Sequence, residues 1–312
     1  MTPPVGRFAP SPSGRMHLGN IFTAVISWLS ARKQGGKWIL RIEDLDPQRS
    51  RLCHAQMIED DLAWLGLTPD EGGLADAGPS APYSQSRRHH LYADALERLK
   101  NLGLAYPCFC RRADIMATQA PHQSDGRIVY AGTCRPAILP APFVDPQRPH
   151  TVRIAVDNAD ITFTDRLYGP VTVNLASHCG DFLLRRADGA WAYQLAVVVD
   201  DAAMGVTEVV RGSDLLLSAA QQLHLYHLLD LRAPEFAHVP LIVNAQGVRL
   251  SKRDEAESIV SLRSRFTPEE LLGRIACMAG MQSQPAPLSL ARMLELFSWN
   301  LLPRVVTLPV LP

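Results

Sequence analysis

Close to its N-terminus, between a short apolar stub and an apolar run opening at Ile21, the chain carries RFAPSPSGRMHLGN, residues 7–20. Two prolines, two serines, two glycines and His17 cannot be accommodated inside a helix or a central strand, so this stretch is a loop. The residues around it read as a strand at Val5 to Phe8, a helix at Ile21 to Arg32, a Gly35-Gly36 turn and a second strand at Trp38 to Ile42. That is a βαβ unit, which commits the chain to a parallel sheet and puts the loop at its carboxyl edge, where such sheets bind nucleotides. Gly14 and Gly19 let backbone approach a ligand, and the following helix N-terminus offers N–H groups and positive potential to an anion. His17 adds a donor for charge developing on a phosphate. Read alone, the same segment is equally a Pro/Gly turn with a solvated histidine.

The 312 residues suffice for one large or two modest domains with a real core. Lys plus Arg and Asp plus Glu are 31 each, so overall charge names no partner, although local basic clusters near Arg185, Lys252 and Arg265 permit phosphate contacts. No apolar stretch approaches the ~20 residues needed to cross a bilayer. The N-terminus lacks the pattern of a secretory signal, which points to a cytoplasmic protein.

Further helices are expected at Leu52 to Leu65, Arg87 to Leu102 and Ser218 to Leu229, with a loop from Thr68 to Pro82. Short strands are expected at Thr151 to Val156, Ile161 to Phe163 and Val171 to Asn174. The apolar run AYQLAVVVDD, 192–201, suits a buried strand or a helix, and its pattern does not choose. Thr267 as N-cap, Pro268 at the first helical position and Glu270 after it mark a helix start, and one more helix is expected after Pro285. The expected organisation is 1–105 as the first half of a catalytic domain, 106–190 as an inserted subdomain, 191–245 as the second half, and 246–312 as a basic loop with a helical C-terminal part.

Two motifs carry the chemistry in combination. RLSKR, 249–253, follows an apolar strand and by itself reads as a solvated basic loop. Together, HLGN and RLSKR resemble the two ATP signatures of class I aminoacyl-tRNA synthetases. LRIEDLDPQR (40–49), YSQSRR (83–88) and VVVDDAAMGVTEVVRGSDLL (197–216) complete five ordered blocks that resemble the glutamyl branch of that family. About 60 residues follow Arg253, too few for another large helical domain. That length is similar to the short paralogues of the branch that lack an anticodon-binding domain and glutamylate the queuosine at the wobble position of tRNA(Asp).

The resemblance implies a Rossmann-type α/β catalytic domain with an inserted zinc-bearing subdomain, and ATP-dependent activation of L-glutamate without tRNA. It implies a glutamate site in which Arg7 and Arg211 meet the carboxylates, Glu43 the ammonium and Tyr193 a wall, with Phe8, Ala9, Pro10 and Ser11 alongside. His17, Gly19, Asn20 and Lys252 would hold ATP with Mg²⁺, His17 and Lys252 acting on the reacting phosphates. Asn20 stands where many class I enzymes have His, and Arg249 replaces the usual first Lys of the late motif. A truncated glutamyl-tRNA synthetase charging a 3′ end and a catalytically silent RNA-binding paralogue are the alternative readings.

Three of six cysteines cluster as CFC (108–110) and YAGTC (130–134). Spacing alone leaves free thiols and a structural zinc site equally open. The family implies the ligand set Cys108, Cys110, Tyr130 and Cys134, with Tyr130 preferred over His122. Cys53, Cys179 and Cys277 are expected to pack as small buried residues.

Overall fold

The computed structural model describes residues 2–111, 113, 115, 129–135, 148–250 and 257–311. The βαβ start is present as β1 (Val5–Phe8), α1 (Leu18–Lys33) and β2 (Lys37–Leu40). Helix α1 begins three residues before the expected Ile21, because a capping box closes on His17. The His17 ring accepts from the Gly19 N–H at 3.1 Å and the Asn20 side chain accepts from the His17 N–H at 3.2 Å.

After α2 (Leu52–Trp64), β3 (Glu71–Gly72) and α3 (His89–Asn101) the chain leaves the main sheet. Strands β4 (Ala105–Cys108) and β5 (Thr151–Ile154) pair antiparallel. The hairpin β6 (Asp160–Asp165) and β7 (Gly169–Asn174) and the short α4 (Leu175–His178) lead to β8 (Phe182–Arg185), which pairs with β5. The core then resumes with α5 (Tyr193–Ala203), β9 (Glu208–Gly212), α6 (Leu216–Leu228), β10 (Glu235–Val239) and β11 (Leu241–Val243). Helices α7 (Ile259–Arg265), α8 (Pro268–Met278) and α9 (Leu290–Leu296) and a last strand β12 (Thr307–Pro309) complete the described chain.

The main sheet has the order β3-β2-β1-β9-β10-β6-β7, parallel except for β7. Segment 106–190 is thus shared between two sheets: β4, β5 and β8 form their own, while β6 and β7 extend the main one beside β10. Trp38 and Leu40 of β2 pack into the core on the α1 side and Ile39 into the core on the other, as the strand pleat requires. The run 192–201 is a helix. Leu195 to Val199 are all buried, so α5 is apolar nearly all round and its sequence lacks the stripe that distinguishes a helix from a buried strand.

The Thr267 start is realised, with Glu270 accepting from the Thr267 N–H at 2.7 Å and Thr267 from the Glu270 N–H at 3.3 Å. The tail is not helical throughout: β12 pairs in parallel with β11, the strand before the late basic loop. Among the described residues no helix is long and apolar enough to cross a membrane. Cys53 is exposed on α2, not buried as expected, because it falls on the helix face away from Ala55, Ile58 and Leu62.

Candidate active site

A cavity of about 460 Å³ opens at the carboxyl end of β1 and β9. Its wall includes the whole Arg7 to Ser11 stretch together with Glu43, Tyr193 and Arg211, and also His17, Gly19 and Asn20. Residues from positions 7 to 211 meet there because β1 and β9 are neighbours in the sheet, while Tyr193 is the first residue of α5. Glu43 lies three residues beyond β2 and its N–H donates to the Pro10 carbonyl at 3.0 Å, which ties the acidic block to the first loop. Phe8 is only 6% exposed, with its ring stacked on Trp38 at 6.1 Å. Lys252 and the Ser251 beside it lie outside the described residues. Arg249 lines the cavity and donates to Asp214.

The charged groups here are buried and paired. Arg41, fully buried, donates to Glu43 at 3.1 Å and to Asp201 at 2.5 Å, and Arg7 Nε lies 3.5 Å from the same Asp201 carboxylate. Burial pushes Glu43 above the usual carboxylate range, and Arg41 and Arg7 only partly offset this. Asp201 goes the other way: burial raises it, but Arg41 and Arg7 outweigh burial and hold it low. Burial also raises the Tyr193 phenol and lowers Arg211. Arg211 donates to His238 at 3.0 Å, to Gln222 at 2.8 Å and to the Leu215 carbonyl at 3.3 Å. Two guanidinium groups, a carboxylate and a phenol around one cavity complement a small molecule carrying both anionic and cationic groups.

A second cluster lies where β4 ends. The thiols of Cys108, Cys110 and Cys134 fall within 4.8 Å of one another, those of Cys110 and Cys134 being 3.5 Å apart. The Tyr130 hydroxyl is 3.3 Å from Cys108 Sγ and 3.7 Å from Cys110 Sγ. A tetrahedral zinc with Zn–S bonds of ~2.3 Å needs sulfurs about 3.8 Å apart, so the four atoms fit such an ion with small adjustments. Burial raises the Cys108 thiol, but the Tyr130 hydroxyl, the Cys110 backbone N–H and the Arg153 guanidinium together outweigh it and bring the group down to about 7. Gly180 is needed here: it has φ +62, and a Cβ on it would sit 2.0 Å from the Tyr130 carbonyl oxygen. His122 lies outside the described residues.

A family model of the catalytic domain of class I tRNA synthetases (E and Q) matches residues 5–300. The chain belongs to this family. Relatives named Glutamyl-Q tRNA(Asp) synthetase include that of Symbiobacterium thermophilum, 46% identical over 96% of this chain and 94% of the relative. Another, from Nitratidesulfovibrio vulgaris, is 46% identical over 88% of this chain and 86% of the relative. Among solved structures, a glutamate tRNA ligase from Elizabethkingia meningosepticum in complex with its amino acid superposes with TM-score 0.84 at 29% identity. That match covers 99% of this chain and 67% of the ligase.

In this class I synthetase domain, sequence reasoning missed the groups that hold the cavity's side chains in place. Asp200 accepts from Arg88 at 2.6 Å, Gln85 at 2.8 Å and Tyr92 at 2.7 Å, tying α5 to the YSQSRR block and α3. Asp201, its neighbour, takes the Arg41 contact. The signal available was two consecutive acids ending an apolar run, since carboxylates in such a place require buried cationic partners. His238 and Asp165 behind Arg211 had no comparable signal.

Proposed function

We propose that this protein is an ATP-dependent ligase that activates L-glutamate as glutamyl-adenylate without tRNA and transfers it to the queuosine of tRNA(Asp). The observation that carries the reading is the single cavity in which every described residue expected to bind glutamate or ATP is found. The names of the relatives at 46% identity support the choice of acceptor.

In this reading Arg7 and Arg211 bind carboxylate and Glu43 takes the ammonium of glutamate, with Tyr193 closing the pocket. ATP enters as its Mg²⁺ complex against the α1 N-terminus, where His17 and, from its motif, Lys252 meet the phosphates. The glutamate α-carboxylate attacks the α-phosphorus in line and pyrophosphate leaves. Positioning and electrostatic stabilisation of the phosphate oxygens are the protein's contribution. A hydroxyl of the queuosine cyclopentene diol then attacks the mixed anhydride and AMP leaves. An adjoining cavity of about 330 Å³, sharing Ser11, Ser13, Glu43 and Tyr193 with the first, gives that hydroxyl a route of approach. Cys108, Cys110, Tyr130 and Cys134 would hold a structural zinc, which when bound would fasten the segment 129–135 to β4.

The test is glutamate-dependent exchange of pyrophosphate into ATP in the absence of tRNA, followed by transfer to tRNA(Asp) with and without queuosine and to tRNA(Glu). Exchange with glutamate alone and labelling confined to queuosine-containing tRNA(Asp) is the expected result. Equal labelling with and without queuosine sinks the choice of acceptor, and no exchange sinks the enzyme.

A further inference from the structure

Behind the cavity wall, three adjacent parallel strands carry Arg211, His238 and Asp165 in a row. His238 on β10 is the register partner of Arg211 on β9, and Asp165 ends β6 on the other side. The side chains of His238 and Asp165 are sealed from solvent. Arg211 Nε donates to His238 Nε2 at 3.0 Å, and His238 Nδ1 lies 2.7 Å from Asp165 Oδ2. Asp165 also accepts the backbone N–H groups of His238, Leu167 and Tyr168, each at 3.0 Å.

This network permits one tautomer. A guanidinium has no acceptor, so Nε2 must be bare to receive the Arg211 N–H. The imidazole proton is then on Nδ1, where the Asp165 carboxylate accepts it. The histidine is neutral and its ring is fixed at both ends. Arg211 is fixed in turn: three of its five N–H groups go to His238, Gln222 and the Leu215 carbonyl, and its guanidinium carbon lies 5.1 Å from the centre of the Phe236 ring.

We propose that His238, oriented by Asp165, is the positioning residue that sets the Arg211 guanidinium for the substrate carboxylate, and that a proton taken up at Nε2 breaks this contact and weakens glutamate binding in acid. The proposal rests on the glutamate reading of the cavity. Protonation would turn the N–H···N bond into two donors and two cations facing each other at hydrogen-bond distance. The charged and titratable groups acting on His238 are Asp165 from β6 and Arg211 from β9, with the Leu215 carbonyl beside them. Burial lowers its pKa below the ordinary 6.5 and Arg211 lowers it further, against the pull of Asp165 and of the Leu215 carbonyl. The neutral form is therefore the working one at neutral pH.

The experiment measures the KM for glutamate and for ATP in pyrophosphate exchange from about pH 5 to pH 8, a range in which both substrate carboxylates stay ionised. It compares the wild type with His238→Gln, which keeps an acceptor that cannot ionise, and His238→Ala. In His238→Ala the glutamate KM is expected to rise about ten-fold or more at neutral pH with the ATP KM unchanged, the loss of one hydrogen bond to a charged group. The wild-type glutamate KM is expected to rise more steeply toward the acid end than that of His238→Gln, whose profile keeps only the contribution of Glu43, itself raised by burial. Imidazole ¹⁵N shifts of the unmutated protein, which do not depend on how the variants fold, should show Nδ1 protonated and Nε2 bare. Superimposable pH profiles for wild type and His238→Gln, an unchanged glutamate KM in His238→Ala, or a proton on Nε2 at neutral pH would each overturn the proposal while leaving the glutamate reading intact. Exchange that ignores glutamate at every pH would overturn both.

Discussion

Arg41 Nη1 donates to Asp201 Oδ1 at 2.5 Å, and neither side chain is more than 1% exposed. Through this contact and a second one to Glu43, Arg41 joins the end of β2 to α5 beneath the cavity floor. The sequence blocks LRIEDLDPQR and VVVDDAAMG are thereby two sides of one buried ion network.

Asp201→Asn leaves Arg41 and Arg7 buried with one anion fewer. The expected loss is about 3–5 kcal/mol of unfolding free energy, the usual cost of removing one partner of a buried pair. Urea unfolding measures it, and a loss below about 1 kcal/mol would show that the pair is not sealed as described. Because Arg41 and Arg7 hold Asp201 below its ordinary 3.8, its contribution is full above that unfolded value and is lost as pH falls through the lower folded one. The variant should therefore lose less stability than the wild type on acidification through that window.

Arg211→Lys keeps the charge and removes the planar fork. The glutamate KM is expected to rise ten-fold or more, on the order of the cost of a lost charged hydrogen bond, with the ATP KM unchanged. Steady-state pyrophosphate exchange separates the two constants. Unchanged glutamate dependence would take Arg211 out of the substrate pocket.

Asn20 has a structural duty at the final position of the first signature, since its side chain closes the α1 capping box on the His17 N–H. Asn20→Ala is expected to cost about 1 kcal/mol of stability, as other lost caps do. Asn20→Asp keeps an acceptor and suits the helix N-terminus, so its stability should be retained. Its added negative charge beside the phosphates should raise the KM for ATP. Equal stability of the alanine variant and the wild type in thermal unfolding would remove the cap.

Zinc content is expected to follow the cysteine cluster. Metal analysis of the purified protein is expected to give one zinc per chain, and Cys134→Ser should abolish it. Gly180→Ala removes no ligating atom, yet its Cβ would collide with the backbone of Tyr130, so it too should lower zinc occupancy. Full occupancy in both variants would overturn the ligand set.

Local structure was largely legible in the sequence. The strand-loop-helix start and the Thr267 cap follow from residue types at short spacing, because backbone freedom, caps and periodic apolar faces act over a few residues. The candidate cavity residues, spread from Arg7 to Arg211, came only from the family that the ordered motifs resemble. The helical state of 192–201 was not legible, since burial on nearly every side erases the periodicity that separates helix from strand. The partners of β6 and β12 were not legible either. A strand's pattern records which face is buried and says nothing of which strand lies beside it.

By itself the sequence determined the fold class from local pattern and, through the family that its ordered motifs resemble, which residues to expect around the cavity. Only the tertiary structure decided what stands behind them: His238 behind Arg211, Asp165 behind His238, and Arg41 between Glu43 and Asp201. Those contacts depend on the lateral order β9-β10-β6 and on the docking of α5 over β2, and strand order is set by packing of the whole chain rather than by any segment of it.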